Sequence, residues 1–236
     1  MNHRYCKYIF YLCLVALISS CSTTKYVPDN AYLLDQVSVV CNEEGVDVNA
    51  LEPYIRQQTN SKWFSVFKIP LSTYNLSGRD TLKWLNRTLR NLGEEPMLYD
   101  HDQAEQTRQD LTQALHNLGY MHAKVELESK VKGKKMKLLY RLHPGEPYMI
   151  SGIDYIIQDE EIASLLHMEK EENRELKAGM PFTVERLDAE RKRITNILVN
   201  EGYYKFHKDY IRFEADSVRD EHDVRLRLIQ IGRAHV

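Results

Sequence analysis

RQDLTQALHNLGYM, Arg108–Met121, and RKRITNILVNEGYY, Arg191–Tyr204, superpose with a constant offset of 83 and end on the same Asn-x-Gly-Tyr. Asn117 meets Asn200, Gly119 meets Gly202 and Tyr120 meets Tyr203. A helix that stops at such a glycine uses it at the left-handed C′ position, where a Cβ would be strained, and the next aromatic can pack back on the last turn. A second match, PDNAYLLDQVSV (Pro28–Val39) on PGEPYMISGIDY (Pro144–Tyr155), has an offset of 116. The two copies therefore open alike and close alike. The 33 residues by which the offsets differ are extra material in the first copy, expected within about residues 59–96.

Periodicity assigns the parts. Val37 and Val39, and later Ile153, Tyr155 and Ile157, alternate with polar residues as a half-buried strand does. Residues 48–58, with Leu51, Tyr54 and Ile55 on one face, and 160–167, with Ile162, Leu165 and Leu166, read as short helices. A longer helix follows in each copy. Over 102–118 the inward positions are Ala104, Leu111, Ala114, Leu115 and Leu118, and Asp102 with Glu105 makes a capping-box-like start. Its counterpart has Thr183 as N-cap and Val184, Leu187, Ile194, Ile197 and Leu198 inward. After each Gly-Tyr the period switches to two. Ala123, Val125 and Leu127 precede Met136, Leu138, Tyr140 and Leu142 across a turn at 132–134; Ile211, Phe213 and Ala215 precede Val224, Leu226 and Leu228 across a loop at 216–222. The predicted class is α+β: each copy runs strand, helix, helix, strand, strand, with two helices on one face of a three-stranded mixed sheet and the other face polar and wet.

Composition narrows the function. The 236 residues carry a net charge of −2, with 43% hydrophobic and 28% charged residues, which excludes a disordered or collagen-like chain. A near-neutral balance without a clustered excess of Lys and Arg argues against nucleic acid as partner. His101, His116, His122, His143 and His167 show no metal-binding spacing, and there is neither a G-x-S-x-G elbow nor a phosphate loop. The expectation is no catalytic residue, no metal and no cofactor. The carboxylate pairs Glu43-Glu44, Glu94-Glu95 and Glu160-Glu161 fall at turns or helix starts, where solvation and the helix dipole account for them.

The N-terminus reads as a leader. His3, Arg4 and Lys7 precede an eleven-residue apolar run, Tyr8–Ile18, too short to span a bilayer and the right length for a secretory h-region. LISSC then resembles a bacterial lipobox, which makes residues 1–20 a lipoprotein signal peptide and Cys21 the acylated first residue of the mature chain. Loss of Arg4 and Lys7 takes the formal charge from −2 to −4. A multiply acylated cysteine holds a protein stably at a bilayer. Cys6 and Cys13 leave with the signal, so Cys41 stands alone, with no intramolecular disulfide partner; it is expected as a small buried hydrophobe.

A duplicated strand-helix-helix-strand-strand unit with Gly-Tyr after its second helix, in an exported chain, resembles the polypeptide-transport-associated (POTRA) domain. Such domains precede the sixteen-stranded barrels of the outer-membrane assembly and translocation family. CSTTKYVPDNAYLLDQVSV (Cys21–Val39), LGEEPMLYD (Leu92–Asp100) and LHNLGYMHAKVE (Leu115–Glu126) look like the lipoprotein variants of that family in Bacteroidota. The resemblance covers residues 21–230. It implies a signal peptide over 1–20, a lipidated linker over 21–30, a first domain over 31–146 with its insertion at about 59–96, and a second domain over 147–230. Residues 231–236, IGRAHV, break the strand pattern and also translate ATC GGA AGA GCA CAC GTC, the start of a common sequencing adapter, so a non-native tail and a missing C-terminal barrel are expected.

The implied function is periplasmic polypeptide binding by a lipid-anchored outer-membrane protein that faces the periplasm. Its partners would be unfolded outer-membrane proteins, the chain's own missing β-barrel, an inner-membrane translocation partner, and the outer membrane through Cys21. A sheet edge offers unpaired N–H and C=O groups to any extended strand, which suits clients of many sequences. In the family's topology the edge is the first hairpin strand, here about 121–130 and 205–215, and the residues nominated are Ala123, Val125, Leu127, Ile211 and Phe213. The Lys and Glu alternation of AKVELESK would protect such an edge from aggregation. The insertion carries Trp63, Phe64, Phe67 and Trp84, the last in a helical KWLNRTLRNLG that stops at Gly93. These aromatics, Trp63, Phe64 and Phe67 foremost, are nominated as a second docking surface, the other reading of them being that they bury the insertion on its own domain. The alternative is a barrel-less periplasmic scaffold lipoprotein.

Overall fold

The computed structural model describes residues 23–61, 69–78, 80, 82–168, 171–217 and 222–231. Its strands are β1 (Leu33–Cys41), β2 (Lys124–Lys132), β3 (Lys135–His143), β4 (Met149–Ile156), β5 (Ile211–Ser217) and β6 (Asp223–Gln230). Its α-helices are α1 (Ile69–Leu76), α2 (Trp84–Leu92), α3 (His101–Asn117), α4 (Glu160–Met168) and α5 (Val184–Asn200). Two three-stranded sheets form, ordered β1-β3-β2 and β4-β6-β5, and the α+β architecture is the expected one. In the second sheet β4 runs parallel to β6 and β5 antiparallel to it. The chain divides into two compact units, one of Glu52–Arg108 and Glu126–Arg141 with the chain up to Val40, the other of Cys41–Leu51, Gln109–Val125 and the chain from Leu142 onward.

The repeat holds at the level of single hydrogen bonds. Leu34 N donates to Met97 O at 2.8 Å, and Ile150 N to Met180 O at 2.8 Å. Tyr99 N donates to Tyr32 O and Phe182 N to Tyr148 O, both at 2.8 Å. Every partner in the second copy lies 116 or 83 residues after its equivalent in the first. In each copy the segment that leads into the long helix thus lies antiparallel along the opening residues of the first strand, through the bridges Leu33 to Leu98 and Met149 to Pro181. The Gly-Tyr corners repeat as well. Gly119 and Gly202 have φ of 98° and 101°, and Tyr120 N and Tyr203 N donate to Leu115 O and Leu198 O at 3.0 and 2.9 Å. This is the left-handed helix stop the sequence called for.

Alternation sorts the sheets into an inner and an outer face. Met136, Leu138, Tyr140 and Leu142 of β3, and Val224, Leu226 and Leu228 of β6, are buried. Against β5 and β6, Ile162 and Leu166 of α4 and Ile194 and Leu198 of α5 close one core with Tyr203 and Phe206. Each such side chain contributes about 2 kcal/mol when fully removed from water. On the outer face Arg225 forks onto Asp154 at 2.8 and 2.9 Å, and Arg227 reaches Glu214 at 3.5 Å. Being exposed, these pairs select register more than they stabilise.

Several expectations change. Residues 48–58 form only a 3-10 turn, Val48–Tyr54, with Pro53 inside it, since proline lacks the N–H an α-helix would use. The long first helix is capped by Asp100 rather than Asp102: the Asp100 carboxylate accepts from the amides of Asp102 and Gln103 at 2.9 and 3.1 Å. Glu105 instead pairs with Arg108. Leu118 and Val184, expected inward, are exposed because one follows the last residue of α3 and the other is the first residue of α5. Thr183 does cap α5, accepting from Arg186 N at 3.3 Å. Cys41 is half-buried rather than buried, with its thiol 3.4 Å from Glu43 O. Nor are all the carboxylate pairs merely solvated: Glu94 accepts from Asn60 and Ser61, and Glu95 from Tyr74.

Candidate strand-edge site

In both sheets the central strand is the second of the hairpin, so β2 and β5 are edge strands, as are β1 and β4. The edges differ in what already lies on them. β1 and β4 are paired at their opening residues by the Met97–Tyr99 and Met180–Phe182 backbones. On β5 the carbonyl of Ile211 accepts from Arg191 Nε at 3.1 Å, and the Arg191 guanidinium lies 5.1 Å from the Phe213 ring. Across the first hairpin Arg141 of β3 holds Glu128 of β2 at 2.9 and 3.1 Å.

The nominated edge residues fall unevenly. Val125 and Leu127 are on β2 and Ile211 and Phe213 on β5, whereas Ala123 precedes β2 and its amide closes the Gly-Tyr corner onto Tyr120 O at 3.0 Å. β2 begins at Lys124 and β5 at Ile211, later than the expected 121 and 205. The reason is the corner itself: Tyr203 to Phe206 form a turn and Lys208–Tyr210 a 3-10 turn, which anchors the buried Phe206 before the strand can start. Ala123, Val125 and Ile211 are buried and Leu127 and Phe213 half-buried, so their side chains serve the core. What an edge can offer an incoming strand is therefore main chain, flanked by the exposed Lys124, Glu126, Lys130 and Val131 on β2 and Arg212 and Asp216 on β5. Trp63, Phe64 and Phe67, like Cys21 and residues 232–236, lie outside the described residues.

Two features escaped the sequence reading. Glu190 of α5 is fully buried and accepts from Tyr155 Oη at 2.8 Å, Glu175 N at 2.9 Å and Arg193 Nη2 at 2.7 Å. Burial pushes its carboxyl up, but Arg193, Glu175 N and Tyr155 together outweigh that and leave it below its ordinary value. Burial, then Glu190, raises the Tyr155 hydroxyl far above its ordinary value, so it donates at any ordinary pH. A carboxylate three residues after Leu187 and four before Ile194 was the available signal. The other feature is α1, the first helix of the insertion. With α2 it forms a helical hairpin in which Gly93 lies so close to Tyr74 that an added Cβ would come 2.5 Å from Tyr74 N. Among the described residues no group of three His, Cys, Asp or Glu could hold a metal ion.

No protein-family model matches the chain, and no curated protein sequence does. Among solved structures it is similar to POTRA domains 3–5 of Haemophilus influenzae BamA, at 15% identity and a TM-score of 0.43 over 89% of this chain and 70% of that one. It is also similar to POTRA domains 1–2 of the periplasmic domain of Omp85 from Anabaena (10%, TM-score 0.36, 85% and 96%) and to CdiB from Escherichia coli (10%, TM-score 0.32, 92% and 31%).

Proposed function

We propose that this chain is the periplasm-facing, polypeptide-binding region of an outer-membrane assembly or translocation lipoprotein, built from tandem POTRA-like domains and tethered through Cys21. Its clients are unfolded outer-membrane proteins that add a strand to the β2 and β5 edges, and its continuation is a membrane β-barrel. An inner-membrane translocation partner belongs to the same reading. The role assigned is binding rather than catalysis. The observation that carries it is the duplicated topology, in which each sheet presents its first hairpin strand at an edge, with Val125 and Ile211 buried in the core and most other side chains of the two strands facing solvent. Main-chain pairing supplies affinity that depends little on client sequence.

The test is site-directed photocrosslinking from Val131 and Asp216 to an unfolded barrel protein, with edge variants alongside. Lys130→Glu with Val131→Glu, and Ala215→Pro, whose amide faces away from β6, should each lower the crosslink yield at their own edge by about tenfold, the scale of one or two lost strand hydrogen bonds. Circular dichroism checks that each variant stays folded. Yields unchanged in folded variants at both edges would remove strand addition from the proposal.

A further inference from the structure

We infer that the helical hairpin of the insertion is a membrane-contact surface, on which the first unit rests against the lipid headgroups of the bilayer that holds Cys21. The inference builds on the tether proposed above, and it starts from the way the chain's first described residues are held. Asn75 Nδ2 donates to Thr23 O at 3.1 Å, and Lys25 Nζ to Asn75 O and Ser77 O at 2.9 and 2.8 Å. Tyr26 donates to Ser77 O and packs edge-on against Tyr74, and Val27 is buried with Leu33 and Leu71. Only Ser22 separates Thr23 from Cys21, so a lipid on Cys21 enters the bilayer within about 7 Å of Thr23 along the chain. The tether is therefore fastened to the C-terminal end of α1 instead of swinging free of the domain.

The face beside that fastening has the chemistry of a bilayer interface. In α2, Asn86 and Arg90 point inward: Asn86 holds Gly78 N and Asp80 O at 2.8 and 2.7 Å, while Arg90 bonds Ser77 and Gly78 and lies 5.3 and 5.5 Å from the Tyr26 and Tyr74 rings. At 3.6 residues per turn Trp84, Leu85, Thr88 and Leu92 then share one outward arc of about 100°. Trp84 is 76% exposed, Leu92 71% and the adjoining Leu82 94%, and no residue of α2 is buried. Lys83 and Arg87, both exposed, flank the arc. Tryptophan and leucine on one side with basic residues beside them is the pattern of a helix lying in the interface, where the rings take the headgroup level and the cations meet phosphates. None of the described helices is long and apolar enough to cross a membrane. A nine-residue helix binds weakly alone. A neighbouring tether raises its effective concentration at the bilayer to about millimolar, so weak affinity suffices to set orientation.

The test uses the full chain with Trp63→Phe, which leaves Trp84 as its single tryptophan, on vesicles of phosphatidylethanolamine with a minority of phosphatidylglycerol. The acyl chains are brominated near the headgroup. Palmitate labelling at Cys21 reads the tether separately. Trp84 emission should shift blue and be quenched. Leu82→Glu with Leu85→Glu, at two exposed positions, should lower partitioning of the unacylated mature chain, which starts at residue 21 and carries Cys21→Ser, by about tenfold. A labelled, membrane-bound chain whose Trp84 is unquenched overturns the surface and leaves the tether standing. An unlabelled chain with quenched Trp84 does the reverse. A blue shift that follows protein concentration in the absence of lipid assigns the face to a second copy and also overturns the inference.

Discussion

Tyr155 on β4 donates its hydroxyl to the carboxylate of Glu190 on α5 at 2.8 Å, in a core where Arg193 and the amide of Glu175 hold the same two oxygens. The Arg174 guanidinium lies 4.9 Å from the Tyr155 ring. A buried charge is tolerated only when it is paired and hydrogen-bonded throughout, and removing one member leaves the others uncompensated. Glu190→Ala should therefore cost about 3–5 kcal/mol and Tyr155→Phe about 1 kcal/mol, in urea unfolding. A Glu190→Ala loss no larger than that of Tyr155→Phe would show that the carboxylate is not the centre of the cluster.

Acid should loosen the second unit first around α5. Lys192, then Lys208, holds the Asp188 carboxyl down to about 2 from an ordinary 3.8, and Glu190 is also held below its ordinary value. A carboxylate depressed by folding contributes stability above its unfolded value and loses it as pH falls through the folded one. The window for Asp188 is thus from about 4 down to about 2. Carboxyl-carbon NMR titration should place Asp188 at the lower end of that window, and Lys192→Met with Lys208→Met should return it to near 3.8. An unmoved titration in the double variant would deny the two lysines this role.

The two corner glycines should respond unequally to alanine. Both have positive φ, which costs an L-residue about 1–2 kcal/mol. At Gly202 a new Cβ meets nothing within 4 Å, whereas at Gly119 it would come 2.6 Å from the carbonyl oxygen of Phe182. Gly202→Ala should lower stability by about 1 kcal/mol and Gly119→Ala by clearly more. Equal losses in thermal melts would mean that the Phe182 backbone yields freely.

Arg90→Ala should free the segment ahead of β1 without unfolding the sheet behind it. The guanidinium stacks near two tyrosines and bonds Ser77 and Gly78, so its loss removes the keystone between Tyr26 and the α1–α2 hairpin. Amide exchange over residues 24–30 should accelerate at least about tenfold, equivalent to about 1.4 kcal/mol of local opening, while β3 amides keep their protection. Uniform acceleration along the chain would show a global rather than a local effect.

What the sequence made legible was set by short-range physics. Strict alternation marked β3 and β6, because their inward positions are all apolar up to Leu142 and Leu228. The Gly-Tyr corners announced themselves because only glycine tolerates that φ. Helix ends were read less well. Asp100 and Asp102 are equally plausible caps two residues apart, and the choice fell to the pairing of Met97–Tyr99 with β1, a contact between residues more than sixty positions apart. For the same reason the edge strands begin later than expected: the alternating pattern extends back into a turn whose apolar residues, Tyr203 and Phe206, serve the core from a non-strand conformation. The inward carboxylate of Glu190 went unread because its partners come from β4, the loop before α5 and α5 itself.

The paired opening of β1 and β4 has a consequence for assembly. With Met97 and Met180 already bonded to Leu34 and Ile150, each sheet carries its own doorstop, and copies cannot stack rim to rim into a continuous ribbon starting from that end. Any ribbon of copies would have to begin past those bonded residues, where the strand margins are shorter.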